Sequence, residues 1–379
     1  MLSLPPLGVY VHLPWCERKC PYCDFNSHEP SGEPPFDAYV ERLLEDLDED
    51  LPRVSGRPAS TVFIGGGTPS LCPPALIGRL LDGLAARLGL ESDAEVTLEA
   101  NPGSSDAARF AGYRAAGVTR LSIGVQSFDD DALRALGRIH DADTARLAVR
   151  AAKRAGFGQI NLDLMHGLPG QDATGAARDL ETAIAQEVPH LSWYQLTIEQ
   201  NTVFHRRPPL LPAEDALAEL QAAGEALLAE GAYVQYEVSA FAREGNACRH
   251  NLNYWRFGDY LGLGAGAHGK LTLAAEDRVV RTRRTRSPRD YLRSPPAARR
   301  VLEDVLPSDL PLEYLMNALR LREGSPVDAF EARTGLSTSL LSPARESLVA
   351  DGLLEPDPLR LCATPTGFRF LDTLLARFA

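Results

Sequence analysis

Apolar runs of strand length recur six times before residue 200, each followed by an amphipathic segment, and this alternation restricts the fold more than any other feature. The runs are Gly8 to Leu13, Thr61 to Ile64, Glu95 to Leu98, Arg120 to Val125, Gln159 to Met165 and His190 to Ile198. Between them, segments such as Phe36 to Leu51, Pro74 to Leu90 and Asp143 to Ala155 repeat apolar residues at helical spacing. Strand-then-helix units in succession make a parallel sheet, because each helix is the right-handed crossover to the next strand. Six units fall short of the eight that close a complete barrel. The expected fold is therefore α/β, a partial (β/α)6 barrel whose open side admits a bulky ligand.

In such sheets the chemistry gathers at the carboxyl ends of the strands, and the polar motifs of this chain fall there. After the first run come Cys16, Cys20 and Cys23, three of the six cysteines of the chain. A loop this short can converge three sulfurs on one centre. A structural zinc needs a fourth ligand, which His12 or His28 could supply. A cubane cluster takes a thiolate at each of four irons and would here keep one iron open. Three unrelated thiols are the remaining reading, and the odd count disfavours a local disulfide. The second run ends in Gly65, Gly66, Gly67, Thr68 and Pro69, either a tight turn or a backbone cradle with free N–H groups. The third ends at Glu99 before an Asn-Pro-Gly turn, a solvated charge or a carboxylate held for a ligand. Gln126 and Ser127 close the fourth run, and Arg138 follows. The fifth places Asn161 and Asp163 inside an otherwise apolar strand, so both are expected to point into the barrel.

Farther on, Tyr233 to Phe241 reads as another strand. The next motif is Cys248-Arg249-His250-Asn251-Leu252-Asn253-Tyr254-Trp255, then a glycine-studded stretch to Gly269. A histidine in an aromatic loop reads from the residues alone as a packed residue before it reads as a ligand; Cys248 and His268 are alternative ligands. Nine arginines lie between Arg278 and Arg300. They read first as a solvated hairpin and linker, second as partners for carboxylates, third as a nucleic-acid surface. From Val301 the pattern changes to three helical pieces and a hairpin, a winged-helix-like module. Its seven basic and twelve acidic side chains favour a packing or partner-docking cap over DNA binding. The expected division is 1–285 for the barrel, 286–300 for an Arg-rich linker and 301–379 for the cap.

A net charge of −12 opposes broad nucleic-acid binding. No apolar run is long enough to span a membrane, and the N-terminus carries no export pattern. A cytoplasmic protein with reduced thiols is expected, with peripheral membrane association left open.

The C-x3-C-x2-C loop after a first strand resembles the radical S-adenosylmethionine (SAM) superfamily. Nearly the whole chain resembles the branch containing oxygen-independent coproporphyrinogen III oxidase, most closely the haem-chaperone HemW family. The resemblance implies a radical SAM barrel with an oxidase-type C-terminal cap. It implies a [4Fe–4S] cluster on Cys16, Cys20 and Cys23, with SAM on the fourth iron. Positions matching Tyr10, Gly66, Gly67, Thr68, Glu99, Gln126, Arg138 and Asp163 contact SAM in the oxidase, and that matching Tyr22 lies beside the cluster. Gln126, Arg138 and Asp163 match contacts to a second SAM there. The pattern His250, Asn251, Tyr254, Trp255 is a signature of the HemW family, where it is associated with haem. Two activities follow from the resemblance: transfer of haem to an acceptor protein, respiratory enzymes being one class, or radical decarboxylation of porphyrinogen propionates in porphyrin metabolism. The oxidase motif continues to a fourth cysteine where this chain has Phe25. The chain also starts close to its first strand, leaving little room for an N-terminal covering segment. Both features favour the carrier and leave the catalytic residues unassigned.

Overall fold

A computed structural model describes residues 2–378, the side chains of 104–107 excepted. All six expected runs are strands: β1 (Leu7–Leu13), β2 (Ala59–Gly66), β3 (Leu90–Ala100), β4 (Arg120–Gln126), β5 (Gln159–His166) and β6 (His190–Gln195). The region expected as one further strand is instead a hairpin, β7 (Val234–Glu237) and β8 (Ala240–Ala242). The glycine-studded stretch and the arginine-rich segment supply β9 (Asp259–Leu263), β10 (His268–Leu273), β11 (Arg278–Arg284) and β12 (Arg300–Asp304). All twelve form one sheet, ordered β12-β11-β10-β9-β1-β2-β3-β4-β5-β6-β8-β7.

The central β9 to β6 run is parallel throughout, so the barrel has a seventh parallel strand that the six-unit reading omits. β9 enters beside β1 with Leu7 opposite Asp259 and Val11 opposite Leu263. Glycines 262, 264 and 266 hid it, because they interrupt the apolar run that marks a buried strand. Antiparallel strands extend both flanks, and among the described residues β12 and β7 are the sheet's edge strands and do not pair with each other, so the barrel stays open.

Helices α1 (Phe36–Asp50), α2 (Pro74–Arg87), α3 (Ser104–Ala115), α4 (Asp130–Ala135), α5 (Ala142–Arg154), α6 (Ala173–Ala185), α7 (Val203–Arg206) and α8 (Glu214–Glu230) lie between the strands. Helix α5 shows why they form. Ala142, Ala145, Ala148, Val149 and Ala152 are buried at helical spacing, and the Asp141 carboxylate caps the first turn by accepting the Thr144 N–H at 2.8 Å. One large apolar core, running through Val9, Val62, Leu98, Leu121, Leu162 and Leu191, joins strands to helices.

The linker expected at 286–300 is instead packed structure. Helices α10 (Pro288–Arg293) and α11 (Pro296–Arg299) follow α9 (Arg249–Trp255) in the chain and cover α1. The reason is electrostatic: α1 buries Asp46 and Asp50, and Arg284 and Arg299, fully buried themselves, come within 3.4 and 3.3 Å of Asp46. Arg284 also binds Asp50 at 2.5 Å. A buried carboxylate needs such a partner.

The C-terminal part holds α12 (Leu310–Ala318), β13 (Ser325–Pro326), α13 (Val327–Thr334), α14 (Ser342–Ala350), β14 (Arg360–Leu361), α15 (Pro365–Arg369) and α16 (Leu371–Leu375). The expected hairpin closes through Leu354 opposite Ala363, with the Glu355 N–H donating to the Cys362 carbonyl at 2.9 Å, and β14 pairs in addition with β13. Its apolar core includes Leu2, Phe257 and Val279, so it is seated on the barrel. Among the described residues no helix is long and apolar enough to cross a membrane.

Candidate functional site

The cysteine loop is pinned at both ends. Trp15 wedges edge-on between Phe36 and Tyr39, while the His28 N–H donates to the Pro14 carbonyl at 2.7 Å and the Cys16 N–H to that of His28 at 3.0 Å. The glycine run is stitched beneath it: the N–H groups of Gly67 and Thr68 donate to the carbonyls of Leu13 and Trp15 at 2.8 and 2.7 Å. Only glycine fits there. A Cβ on Gly67 would sit 2.5 Å from the Trp15 carbonyl oxygen and 3.0 Å from Cys16 Sγ. Gly66 has φ of +123°, a conformation that side chains avoid.

All three thiols line one cavity of 810 Å³, together with Tyr22, Gly66, Gly67, Thr68, Glu99, Gln126, Arg138 and Asp163. Tyr10 faces an adjoining cavity of 1110 Å³. The histidines of the zinc reading are occupied. His12 is buried, its ring nitrogens hydrogen-bonded to Tyr10 Oη at 2.9 Å and the Asn26 carbonyl at 2.8 Å. His28 Nε2 lies 3.3 Å from Asn26 Oδ1.

Glu99 accepts one hydrogen bond, from the Gly66 N–H at 3.1 Å. Burial, and then the neighbouring Asp163 charge, push its carboxyl up to about 8. Asp163 is also raised by burial, against hydrogen bonds from Ser122 at 2.9 Å and Asn161 at 2.8 Å. Asn161 does not itself line the cavity; its amide buttresses Asp163 and its carbonyl meets His190 Nδ1 at 2.6 Å. Two carboxyl groups held short of countercharge form a receptor for a cation. Arg138 supplies the opposite sign. It donates to Asn101 at 2.8 Å and the Gly124 carbonyl at 2.7 Å, and its Nη1 lies 3.6 Å from Cys20 Sγ. Gln126, at φ +68°, is a non-glycine residue in the left-handed region, a strain that collects at functional sites. Its Oε1 accepts the Tyr194 hydroxyl at 2.8 Å. Tyr194 and Asn101 organise the cavity without having been singled out from the sequence. For Asn101 a signal existed, in the turn that follows Glu99.

His250, which the resemblance associates with haem, is a packed residue. It is 1% exposed and lines neither cavity. Its Nδ1 bonds Thr61 Oγ1 and its Nε2 bonds Tyr254 Oη, both at 2.8 Å, and burial lowers it to about 3. Helical geometry is the reason: on α9, His250 turns inward against β2, whereas Asn251 and Trp255, four apart, face the thiol-lined cavity. Tyr254 and Trp255 line the larger one. Cys248 is likewise buried beside Glu95, at 3.5 Å, and pushed up to about 12 by burial. His268 is exposed and lines the larger cavity.

The family model described as the Radical SAM superfamily matches residues 10–182, and that of the HemN C-terminal domain matches 305–370. The chain is 50% identical to the heme chaperone HemW of Escherichia coli, over 100% of this chain and 99% of that protein. It is 35% identical to the heme chaperone HemW of Mycobacterium tuberculosis, over 98% of this chain and 94% of the relative. Among solved structures, coproporphyrinogen III oxidase (HemN) from Escherichia coli superposes with a TM-score of 0.81 at 22% identity, over 99% of this chain and 90% of that one; this likeness shows the fold. Superfamily membership implies a [4Fe–4S] cluster and SAM, and three thiols, a glycine cradle and two under-compensated carboxyl groups in one cavity fit them. Full-length identity and the shared architecture together show that this chain belongs to the haem chaperone HemW family of the radical SAM superfamily.

Proposed function

We propose that this protein is a haem carrier: it binds haem beside a [4Fe–4S] cluster and SAM and passes the haem to an acceptor protein. Cys16, Cys20 and Cys23 hold the cluster, with Arg138 Nη1 3.6 Å from Cys20 Sγ and Tyr22 beside it. Gly66, Gly67 and Thr68 shape the SAM cradle. Glu99 and Asp163 face the positive groups of SAM, and Gln126, Arg138 and Tyr10 complete its surroundings. A cluster with three protein thiolates supplies an open iron for SAM and a single electron. Tyr254 and Trp255 serve the haem side, where both line the larger cavity, while Asn251 faces the thiol-lined one. Six free cysteines agree with a cytoplasmic location, and the acidic total with a protein acceptor rather than nucleic acid.

One observation carries the reading: the thiol-lined and the aromatic, arginine-lined cavities adjoin, with Phe25, Gly66, Glu99 and Trp255 lining both. Phe25, 62% exposed at that junction, stands where the oxidase pattern has a further cysteine. The test is one anaerobic experiment on reconstituted protein, titrating haem by its Soret absorbance and assaying coproporphyrinogen III decarboxylation with SAM and reductant. Stoichiometric haem binding without decarboxylation is expected. Decarboxylation with little haem affinity would make the protein an oxidase.

A further inference from the structure

With His250 turned inward, the haem-binding reading lacks an iron ligand, and the larger cavity offers another. That cavity, at 1110 Å³, exceeds the roughly 300–1,000 Å³ of ordinary small-molecule sites. His268 and Arg283 stand directly opposite each other on β10 and β11, and both are exposed and line it. Cross-strand partners project from the same face of a sheet.

Two histidines line the cavity, and they differ in what their rings already do. His12 spends both nitrogens on Tyr10 and Asn26. Among the described residues, the His268 ring has no hydrogen-bond partner, and burial together with Arg281, Arg283 and Arg286 favours its neutral form. A neutral imidazole has the lone pair that ferric or ferrous iron takes.

The arginines also differ. Arg281 is committed to Tyr260 and Glu313, and Arg284 and Arg299 to the α1 carboxylates. Arg286 is exposed and has no ion-pair partner among the described residues. Arg283 holds only an exposed pair with Glu303, both side chains 56% exposed. Such a pair contributes little and exchanges readily for another carboxylate. The opposite wall carries Phe25, whose ring is offered for stacking.

Resting on the carrier reading above, we infer that the cavity between the Phe25 loop and the β10–β11 strands is the porphyrin site, with His268 as axial iron ligand and Arg283 and Arg286 as propionate anchors. The cluster loop is tied to this site. The Asn26 side-chain amide donates to the carbonyls of Ala265 and Arg286, each at 2.9 Å, so a haem seated here touches the segment that carries the cysteines.

The experiment titrates haem, and in parallel its propionate dimethyl ester, into anaerobically reconstituted full-length protein. Iron and sulfide content reports an intact cluster loop in every variant. His268→Ala is expected to abolish the imidazole-ligated haem signature in the Soret region and in electron paramagnetic resonance, and His268→Cys to replace it with a thiolate-type spectrum. Arg283→Ala combined with Arg286→Ala is expected to weaken haem about tenfold or more while changing ester affinity far less. If wild-type protein binds no haem, the carrier reading itself falls. If wild-type protein binds haem but His268→Ala keeps the spectrum, or the double arginine variant weakens haem and ester equally, the carrier reading stands and this site is overturned.

Discussion

Replacing Gly67 with alanine tests the link between the glycine cradle and the cysteine loop. The added methyl group would lie 2.5 Å from the Trp15 carbonyl oxygen, about 0.9 Å inside ordinary van der Waals contact, and 3.0 Å from Cys16 Sγ. Gly67 is outside the left-handed region, so the cost is steric and not conformational. The obstructing atom belongs to backbone, and that same carbonyl accepts the Thr68 N–H at 2.7 Å. Relief therefore moves the loop away from the strand end. Overpacking of this kind costs about 1–3 kcal/mol, and weakening the Thr68 and Gly67 hydrogen bonds adds up to about 1 kcal/mol each. A loss of about 2–4 kcal/mol corresponds to a fall in Tm on the order of 3–5 °C for a chain of 379 residues. Because Cys16 follows Trp15 directly, iron incorporation on anaerobic reconstitution is expected to fall with it. Gly32→Ala is the control, since a Cβ there meets nothing within 4 Å. Wild-type iron content and Tm in Gly67→Ala would refute the idea that close backbone approach at this glycine positions the cysteine loop.

His250→Ala removes a buried ring and both its hydrogen bonds and is expected to cost about 2–4 kcal/mol in denaturant unfolding. Its haem titration should stay near wild type, and a large loss of haem affinity in folded protein would return the residue to the site. Asp259→Ala strands the Lys270 ammonium, 2% exposed and 2.9 Å from that carboxylate, and should cost about 3–5 kcal/mol; a loss below about 1 kcal/mol would mean Arg57 and water reorganise freely. Stability without cofactors should be domed in pH. His140 and His166, lowered to about 4, and His250, lowered to about 3 by burial, take up protons on unfolding once pH falls below the ordinary 6.5. Each then removes about 1.4 kcal/mol per pH unit until its folded value is reached. Glu99 acts with the opposite sign: held protonated to about 8 in the fold against 4.5 unfolded, its contribution is full below 4.5 and is lost as pH rises toward 8. Thermal melts of Glu99→Gln should show a flatter alkaline limb, and an unchanged limb would place the titration elsewhere.

Much of this protein could be read from short windows of sequence. The alternation of strand and helix carries its own period, so the six central units were visible one by one. The cysteine loop, the glycine run and the turn after Glu99 were also legible, because close spacing and backbone freedom are local properties. Burial and partner choice are not. His250 is associated with haem by resemblance until Thr61, 189 positions away, takes one ring nitrogen. Arg284 and Arg299 read as solvated until Asp46 and Asp50 of α1 draw them inside. Strand β9 was hidden by the glycines that let it pass close to its neighbours, and only pairing with β1 makes it a strand. His268 becomes the open imidazole only when β10 and β11 set it across from Arg283 at the rim of a cavity whose far wall is the cysteine loop. The sequence by itself determined which groups could do chemistry and the parallel core that carries them. Tertiary structure decided which of those groups remain available, because desolvation and long-range hydrogen bonding either consume a side chain or leave it facing the cavity.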